Sequence, residues 1–442
     1  MTMSQPRADK KEIFGWAMFD FANQAYTLLI ITVVFGDLFT RVIVGDAENA
    51  YRLGNLLWSL SLAAGYLLVV LTAPFFGAVM DLTARRKRFL FISYLVTVIA
   101  TALLYFVAPG YILLGMLLIV ISNYAYSIGE SFIASFLPDL GPPEDLGKIS
   151  GFGWALGYVG GLVATGLALL FLGEVSLENF QNVRWVGPFA AGFFLLAAIP
   201  TFVLLKERGK SSHTIESSIW RQGWQRLEGS LKHLRGYQDL SIFLLSALFA
   251  MSGIYIIIAF TFIYGAQVVQ WDEKMRVLTF ITVQVTATLG AIFFGWAEDR
   301  RGSQFTYQFT LLFWIGAVLL IWQTPNITDG INSLGYQAER QDIFLVVAVA
   351  AGLCLGATQS ASRAIVGKLT PLPRAAEFFG FWGLSHKLAA IIGLVGVGLM
   401  QALVGLQNAI LLCAVFFALA FLVCLKVNLS RGQIKAGQYP RD

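Results

Sequence analysis

Long uninterrupted apolar runs dominate the chain. They fall at about residues 14–40, 54–80, 89–108, 111–137, 149–172 and 184–205, and again at 241–268, 276–297, 304–323, 343–369, 378–401 and 406–427. A bilayer-spanning helix needs roughly 20 consecutive, mostly apolar residues, and each run supplies about that length. Only helices or closed barrels satisfy the backbone in lipid, and runs of this length predict helices. The pattern therefore predicts an all-α membrane protein with twelve transmembrane helices in two lobes of six. One long polar stretch interrupts the series, so the division expected is 1–205 for the N-terminal lobe, 206–240 for a linker and 241–442 for the C-terminal lobe.

Composition narrows the function classes. Apolar residues make up 57% of the 442 and charged residues 13%. Soluble chains average roughly 45–50% and about 25%. That excludes an ordinary soluble enzyme, and a disordered chain as well. Cys354, Cys413 and Cys424 all sit inside apolar runs with no metal-ligand spacing, and are expected to be small buried side chains. No nucleotide loop, nucleophile–base constellation or cluster of metal ligands is present, so no enzyme, cofactor or metal is expected. The net charge of +5 has a positional origin. Most Lys and Arg lie between the runs on one side, which puts both termini and the middle stretch in the cytoplasm. The expected partners are the lipid bilayer and a small solute rather than nucleic acid, for a monomer. The first twelve residues are polar, and the run after them is too long for a secretory leader. Short loops suggest a bacterial inner membrane.

A loop motif repeats between the halves. Gly77-Ala-Val-Met-Asp81 followed by Arg85, Arg86 and Lys87 ends the second run. Gly295-Trp-Ala-Glu-Asp299 followed by Arg300 and Arg301 ends the eighth. Glycine allows helices to approach closely, Asp accepts hydrogen bonds from a neighbouring helix terminus, and the basic residues sit among headgroups. Parallel six-helix repeats describe a two-lobed transporter.

Ionisable groups within spans are costly and mark function by default. Asp20 and Glu130 lie in the first half, Arg363 and Lys387 in the second. At 1.5 Å per residue all four sit roughly 10–15 Å from the cytoplasmic boundary. Opposite signs on opposite lobes suggest interlobe pairs that close the cytoplasmic side and contact the solute. The competing reading is a pair within one lobe that neutralises a buried charge. Asp20, Asn23, Gln24 and Thr27 share one helical face, as do Asn123, Ser127, Glu130 and Ser131. Such faces avoid lipid and look onto a cavity or another helix. A carboxylate in a low-dielectric cavity can exchange a proton, so proton coupling belongs to this reading. His386, beside Lys387, is a weaker candidate.

Gly153, Gly157 and Gly161 form a close-packing surface. Phe14, Trp16, Trp185, Trp271 and Trp322 lie near run ends, as interfacial anchors do; Phe378, Phe379, Phe381 and Trp382 either line the cavity or anchor in the same way, and the anchor is the favoured reading. In the linker, Trp220, Trp224, Leu227, Leu231 and Leu234 alternate with Arg221, Arg226, Lys232 and Arg235, the pattern of a basic amphipathic helix on the membrane surface.

Five segments carry a family resemblance beyond the Gly77–Lys87 loop. They are Trp16-Ala-Met-Phe-Asp20-Phe-Ala-Asn23, Ala134-Ser-Phe-Leu-Pro138, Ser150-Gly-Phe-Gly-Trp-Ala-Leu-Gly157-Tyr158, Gln359-Ser-Ala-Ser362-Arg363, and Glu377-Phe-Phe-Gly380-Phe with Lys387. The chain resembles the major facilitator superfamily, and within it the "unknown major facilitator" family related to autophagy-linked vacuolar amino-acid effluxers. The resemblance implies a major facilitator fold with helices one, four, seven and ten around a central cavity, helix five packed on helix eight, and alternating access. It also implies small polar or amphipathic organic solutes, amino acids among them. A zwitterion would suit the charges, with Arg363 or Lys387 for its carboxylate and Asp20 or Glu130 for its ammonium. Two positions depart from the family pattern. Ser252-Gly253 stands where Asp-Gly is usual, and Gly393-Leu394 where Gly-Pro is usual. The rival readings are a broad-specificity drug or metabolite exporter and a non-transporting receptor or assembly factor on the same fold.

Overall fold

The computed structural model describes residues 7–46, 48, 52–173, 175–208, 221–225, 228–229 and 237–437. Twelve helices in it are long and apolar enough to cross a membrane. In the first half they are α1 (Lys10–Val44), α2 (Leu56–Thr83), α3 (Arg86–Phe106), α4 (Ile112–Asp139), α5 (Leu146–Leu172) and α6 (Phe180–Leu204). In the second half they are α7 (Gln238–Thr261), α8 (Lys274–Glu298), α9 (Ser303–Ser333), α10 (Arg340–Leu369), α11 (Leu372–Gln401) and α12 (Leu406–Cys424). A short helix α13 (Leu429–Gly437) follows. Large apolar side chains such as Leu113, Leu170, Val346 and Leu403 point outward and are exposed, as a lipid-facing surface allows.

The packing repeats. In the first half α1 lies on α5 and α6, α2 on α4, and α3 on α4 and α6. In the second, α7 lies on α11 and α12, α8 on α10, and α9 on α10 and α12. Adding six to each helix of the first set gives the second. Between the halves, α2 packs on α11 and α5 on α8, with α4 against α11 and α5 against α10.

These crossings are tight because glycine carries them. A Cβ on Gly77 of α2 would overlap the Ala376 carbonyl of α11, and one on Gly151 of α5 would overlap the Ala291 carbonyl of α8. A Cβ on Gly295 would stand 3.1 Å from the Gly147 carbonyl.

The repeat extends to a feature that the pattern of runs does not reveal. Glu12, in the first turn of α1, is almost fully buried and accepts from both Arg208 guanidinium nitrogens at 2.6 and 2.7 Å and from the Lys206 N–H at 3.1 Å. Asp239, in the first turn of α7, accepts from Arg431 at 2.8 and 2.7 Å and from the Asn428 N–H at 2.8 Å. Each half thus ties the start of its first helix to the chain just past its sixth.

Two aromatic expectations are corrected. Trp16 is fully buried and donates to the Ile133 carbonyl at 2.8 Å, so it is not an interfacial anchor. Phe378 and Phe379 are fully buried, and Phe381 and Trp382 nearly so, because the start of α11 is covered by α2 and α7. In the linker, residues 221–225 are helical and Trp224 packs on Phe75 of α2 with ring centroids 4.7 Å apart. Trp220, Arg226, Leu227, Leu231, Lys232, Leu234 and Arg235 lie outside the described residues.

Candidate functional site

The four charges within the spans meet in two pairs, each joining opposite halves. Asp20 of α1 accepts from Arg363 Nη1 of α10 at 2.7 Å. The guanidinium also donates from Nε to Ser150 Oγ at 3.1 Å and from Nη2 to the Ser150 carbonyl at 2.9 Å, both on α5. It lies over the rings of Trp16 at 4.6 Å and Trp154 at 5.3 Å. Ser150 Oγ in turn donates to the Ser360 carbonyl across the interface at 2.9 Å. A Cβ on Gly153 would stand 2.7 Å from both Arg363 Nη2 and Asp20 Oδ2. Gly153, read from sequence as a packing position, is what leaves room for this pair.

The second pair joins Lys387 Nζ of α11 to Glu130 Oε2 of α4 at 2.9 Å. Tyr126 donates to the other Glu130 oxygen at 3.0 Å and shares a 2.7 Å hydrogen bond with Thr27 of α1. The ammonium lies 5.1 Å from the centre of the Tyr66 ring, a cation–π distance, and Tyr255 of α7 lies beside it. The two pairs differ in wetness. The Asp20 and Arg363 side chains are 12% and 3% exposed, whereas Glu130 keeps 30%.

The remaining expected residues separate. Gln359 donates to Tyr158 of α5 at 2.9 Å, a further link between the halves. Gln24 and Gln284 of α8 flank Gly161 from opposite halves. Asn23 is buried on the Asp20 face. Asn123 instead donates to the Leu62 carbonyl at 3.2 Å, within the first half, and ties α4 to α2 away from the ion pairs. Ser252 and Gly393, the two departures from the family pattern, face each other: a Cβ on Gly393 would lie 2.5 Å from the Ser252 carbonyl. Ser252 Oγ donates to its own helix at Leu248.

The signature loop closes the end of the bundle that carries the basic clusters. Asp81 accepts from the N–H groups of Ala376 at 3.2 Å and Glu377 at 2.9 Å, where the first turn of α11 presents unpaired donors. Arg86 pairs with Asp81 at 2.9 Å and with Asp139 at 2.8 Å, and donates across the interface to the Leu372 carbonyl at 3.2 Å. Arg85 is exposed. Beside it, the Lys87 N–H donates to Glu207 at 2.7 Å, and burial raises that carboxyl above its ordinary range. In the second copy, Arg300 stacks on Trp296 at 3.8 Å and Gly295 holds the α5 crossing. The Asp299 side chain lies outside the described ones.

Sequence reasoning missed Ser150, Tyr66, Tyr126, Tyr255, Trp154 and Tyr158 as partners. Each is an ordinary residue of an apolar helix, and only the helix crossings bring it to a charge.

Among the described residues, hydrogen bonds between the halves run from Arg86 and Asp81 up to Gln359 and Lys387, in the half of the bundle nearer the basic clusters. The site is therefore a layer of two carboxylates on one half and two bases on the other, held together at one end.

A family model described as vacuole effluxer Atg22 like matches residues 55–437. An uncharacterized MFS-type transporter, YxiO, of Bacillus subtilis is 24% identical over 403 residues, 89% of each chain. Autophagy-related protein 22 of Kluyveromyces lactis is 23% identical over 494 residues, 98% of this chain and 96% of its own. Among solved structures, the human organic anion transporter MFSD10 superposes with a TM-score of 0.71 at 15% identity, over 94% of this chain and 99% of its own. The proton:xylose symporter XylE does so with 0.71 at 14%, over 94% and 95%. Those two likenesses give the major facilitator fold. The chain belongs to the vacuole effluxer Atg22-like family of major facilitator transporters.

Proposed function

We propose that this chain carries a small zwitterionic solute, with neutral amino acids as the class, across the membrane by alternating access. The lobes 1–205 and 241–442 rock about the layer of ion pairs, and the linker 206–240 spans them on the cytoplasmic side together with both termini. The bias of Lys and Arg toward that side supports the orientation, and a bacterial inner membrane is the expected location. Gly77, Asp81, Arg85 and Arg86, with Gly295, Asp299 and Arg300, act as the loops that hold the cytoplasmic end shut.

One observation carries the reading: carboxylates of one half paired with bases of the other, Asp20–Arg363 at 2.7 Å and Glu130–Lys387 at 2.9 Å. The four charges sum to zero. A solute bearing one charge adds an uncompensated charge to a low-dielectric layer, whereas a zwitterion adds none. Its carboxylate exchanges with Asp20 or Glu130 for the bases, and its ammonium with the bases for the acids. Glu130, the more accessible carboxylate, is the proton-exchanging group that couples flux to a gradient.

The test is counterflow in proteoliposomes with a panel of labelled neutral L-amino acids, with and without an imposed pH gradient. Wild-type protein is expected to exchange at least one of them, with flux raised by the gradient. Glu130→Gln keeps exchange and loses the gradient response, and Arg363→Gln loses both. No counterflow of any panel member by wild-type protein would refute the reading.

A further inference from the structure

Two buried ring nitrogens lack a hydrogen bond among the described residues, Trp154 Nε1 and His386 Nε2. Serine and threonine hydroxyls without an assigned partner mean little in a membrane helix, because they can turn back onto a carbonyl of their own turn. An indole or imidazole nitrogen stands too far from its own backbone for that. A buried donor or acceptor left unpaired costs about 1–3 kcal/mol. Such groups call for an explanation, and one of the standard ones is a ligand.

The two nitrogens are on different halves, and each belongs to a ring beside one of the ion pairs. Trp154 of α5 lies under the Arg363 guanidinium, 5.3 Å from its centre, and packs against Tyr158, which accepts from Gln359. His386 of α11 precedes Lys387 in the chain. Its ring centre is 4.2 Å from that of Trp382, whose Nε1 reaches Ser362 Oγ at 3.5 Å, one residue before Arg363. His386 is 7% exposed. The charged groups of this layer are satisfied by one another, and these two rings are not.

We propose that Trp154 and His386 bind the solute: the indole N–H donates to its carboxylate beside Arg363, and His386 Nε2 takes a second hydrogen bond from its polar head. The inference rests on the reading of the chain as a solute carrier. Both nitrogens are unpaired in the present arrangement of the halves and acquire partners when solute enters the layer. A site that buries hydrogen-bonding groups discriminates strongly against solutes that cannot pair them.

The test is thermal-shift titration of purified full-length protein with L-leucine, then the other common amino acids, organic anions, amines and sugars. Trp154→Phe and His386→Phe keep a ring and remove the nitrogen. Each is expected to leave the unliganded melting temperature within a degree or two of wild type and to weaken the stabilising solute about tenfold, the scale of one hydrogen bond to a charged group. 3-Methylbutylamine, which lacks the whole carboxyl group and so any acceptor for the indole N–H, is expected to show the same affinity, however weak, for Trp154→Phe and wild type. Wild-type affinity in both variants overturns the inference, as does a fall in unliganded stability with no change in affinity. A stabilising solute that is not an amino acid refutes the zwitterion reading while still testing the two rings. No stabilising solute at all overturns both.

Discussion

Arg363 is the residue on which most of the site converges: a carboxylate, a hydroxyl, a carbonyl and two indole rings hold it at once. Breaking a buried pair by removing one member costs about 3–5 kcal/mol, because the other charge is stranded. Removing both members together costs much less. Arg363→Gln is therefore expected to lower the melting temperature sharply, and Asp20→Asn with Arg363→Gln to recover most of the loss. Melting of the purified proteins checks it, and a double variant no more stable than the single one would show that pairing is not what holds Arg363. Glu130, with 30% of its side chain exposed, is reached by water, so Lys387→Gln strands its partner less severely. At this scale the sequence was informative about charges and silent about their company. An ionised group inside an apolar run is visible by composition, whereas Ser150, Tyr126 and Gly153 earn their roles only by proximity.

Glycine acts in two ways at helix crossings, and the difference lies in which helices meet. Gly77 allows α2 to lie on α11 across the interface, where an added methyl would overlap the Ala376 carbonyl. Gly290 allows α8 to lie on α10 within one half, where it would overlap the Leu353 carbonyl. Gly77→Ala is expected to favour separation of the halves at the basic end. Gly290→Ala is expected to destabilise the second half itself. A cysteine replacing Leu137, with Cys354, Cys413 and Cys424 replaced, reads this out: Leu137 is fully buried and packs near Gly367 of α10. Its maleimide labelling should speed up several-fold in Gly77→Ala. In Gly290→Ala the melting temperature should fall instead. The glycine pattern along α5 pointed to close packing, but not to the partner, since a small residue looks the same whichever helix it admits.

For the molecule as a whole, the interface is closed at one end by hydrogen bonds to helix α11 and by the paired charges deeper in. Ser150 Oγ donates to the Ser360 backbone carbonyl at 2.9 Å, so α5 and α10 of opposite halves lie against each other at these positions. Cysteines at 150 and 360, in protein without the three native cysteines, should form a disulfide on oxidation. Flux in proteoliposomes is expected to stop and to return on reduction. Undiminished flux with the bond fully formed would mean that these helices need not separate during transport. The tied ends of each half, Glu12 to Arg208 and Asp239 to Arg431, join the start of each six-helix group to the chain just past its sixth helix.

Sequence alone determined the helices, because length and apolarity against a bilayer leave the backbone no other solution. It also determined the internal repeat, written twice in the loop motif, and the four charges, since an ionised side chain in a hydrocarbon-length run is costly and stands out from its surroundings. Only the tertiary structure decided which carboxylate meets which base, that Asn123 serves the first half alone, and that Trp16 lies beneath a guanidinium instead of at the membrane surface. The physical reason is that pairing depends on crossing angle and axial register. Those are set by packing between helices far apart in the chain, and no local pattern of residues encodes them.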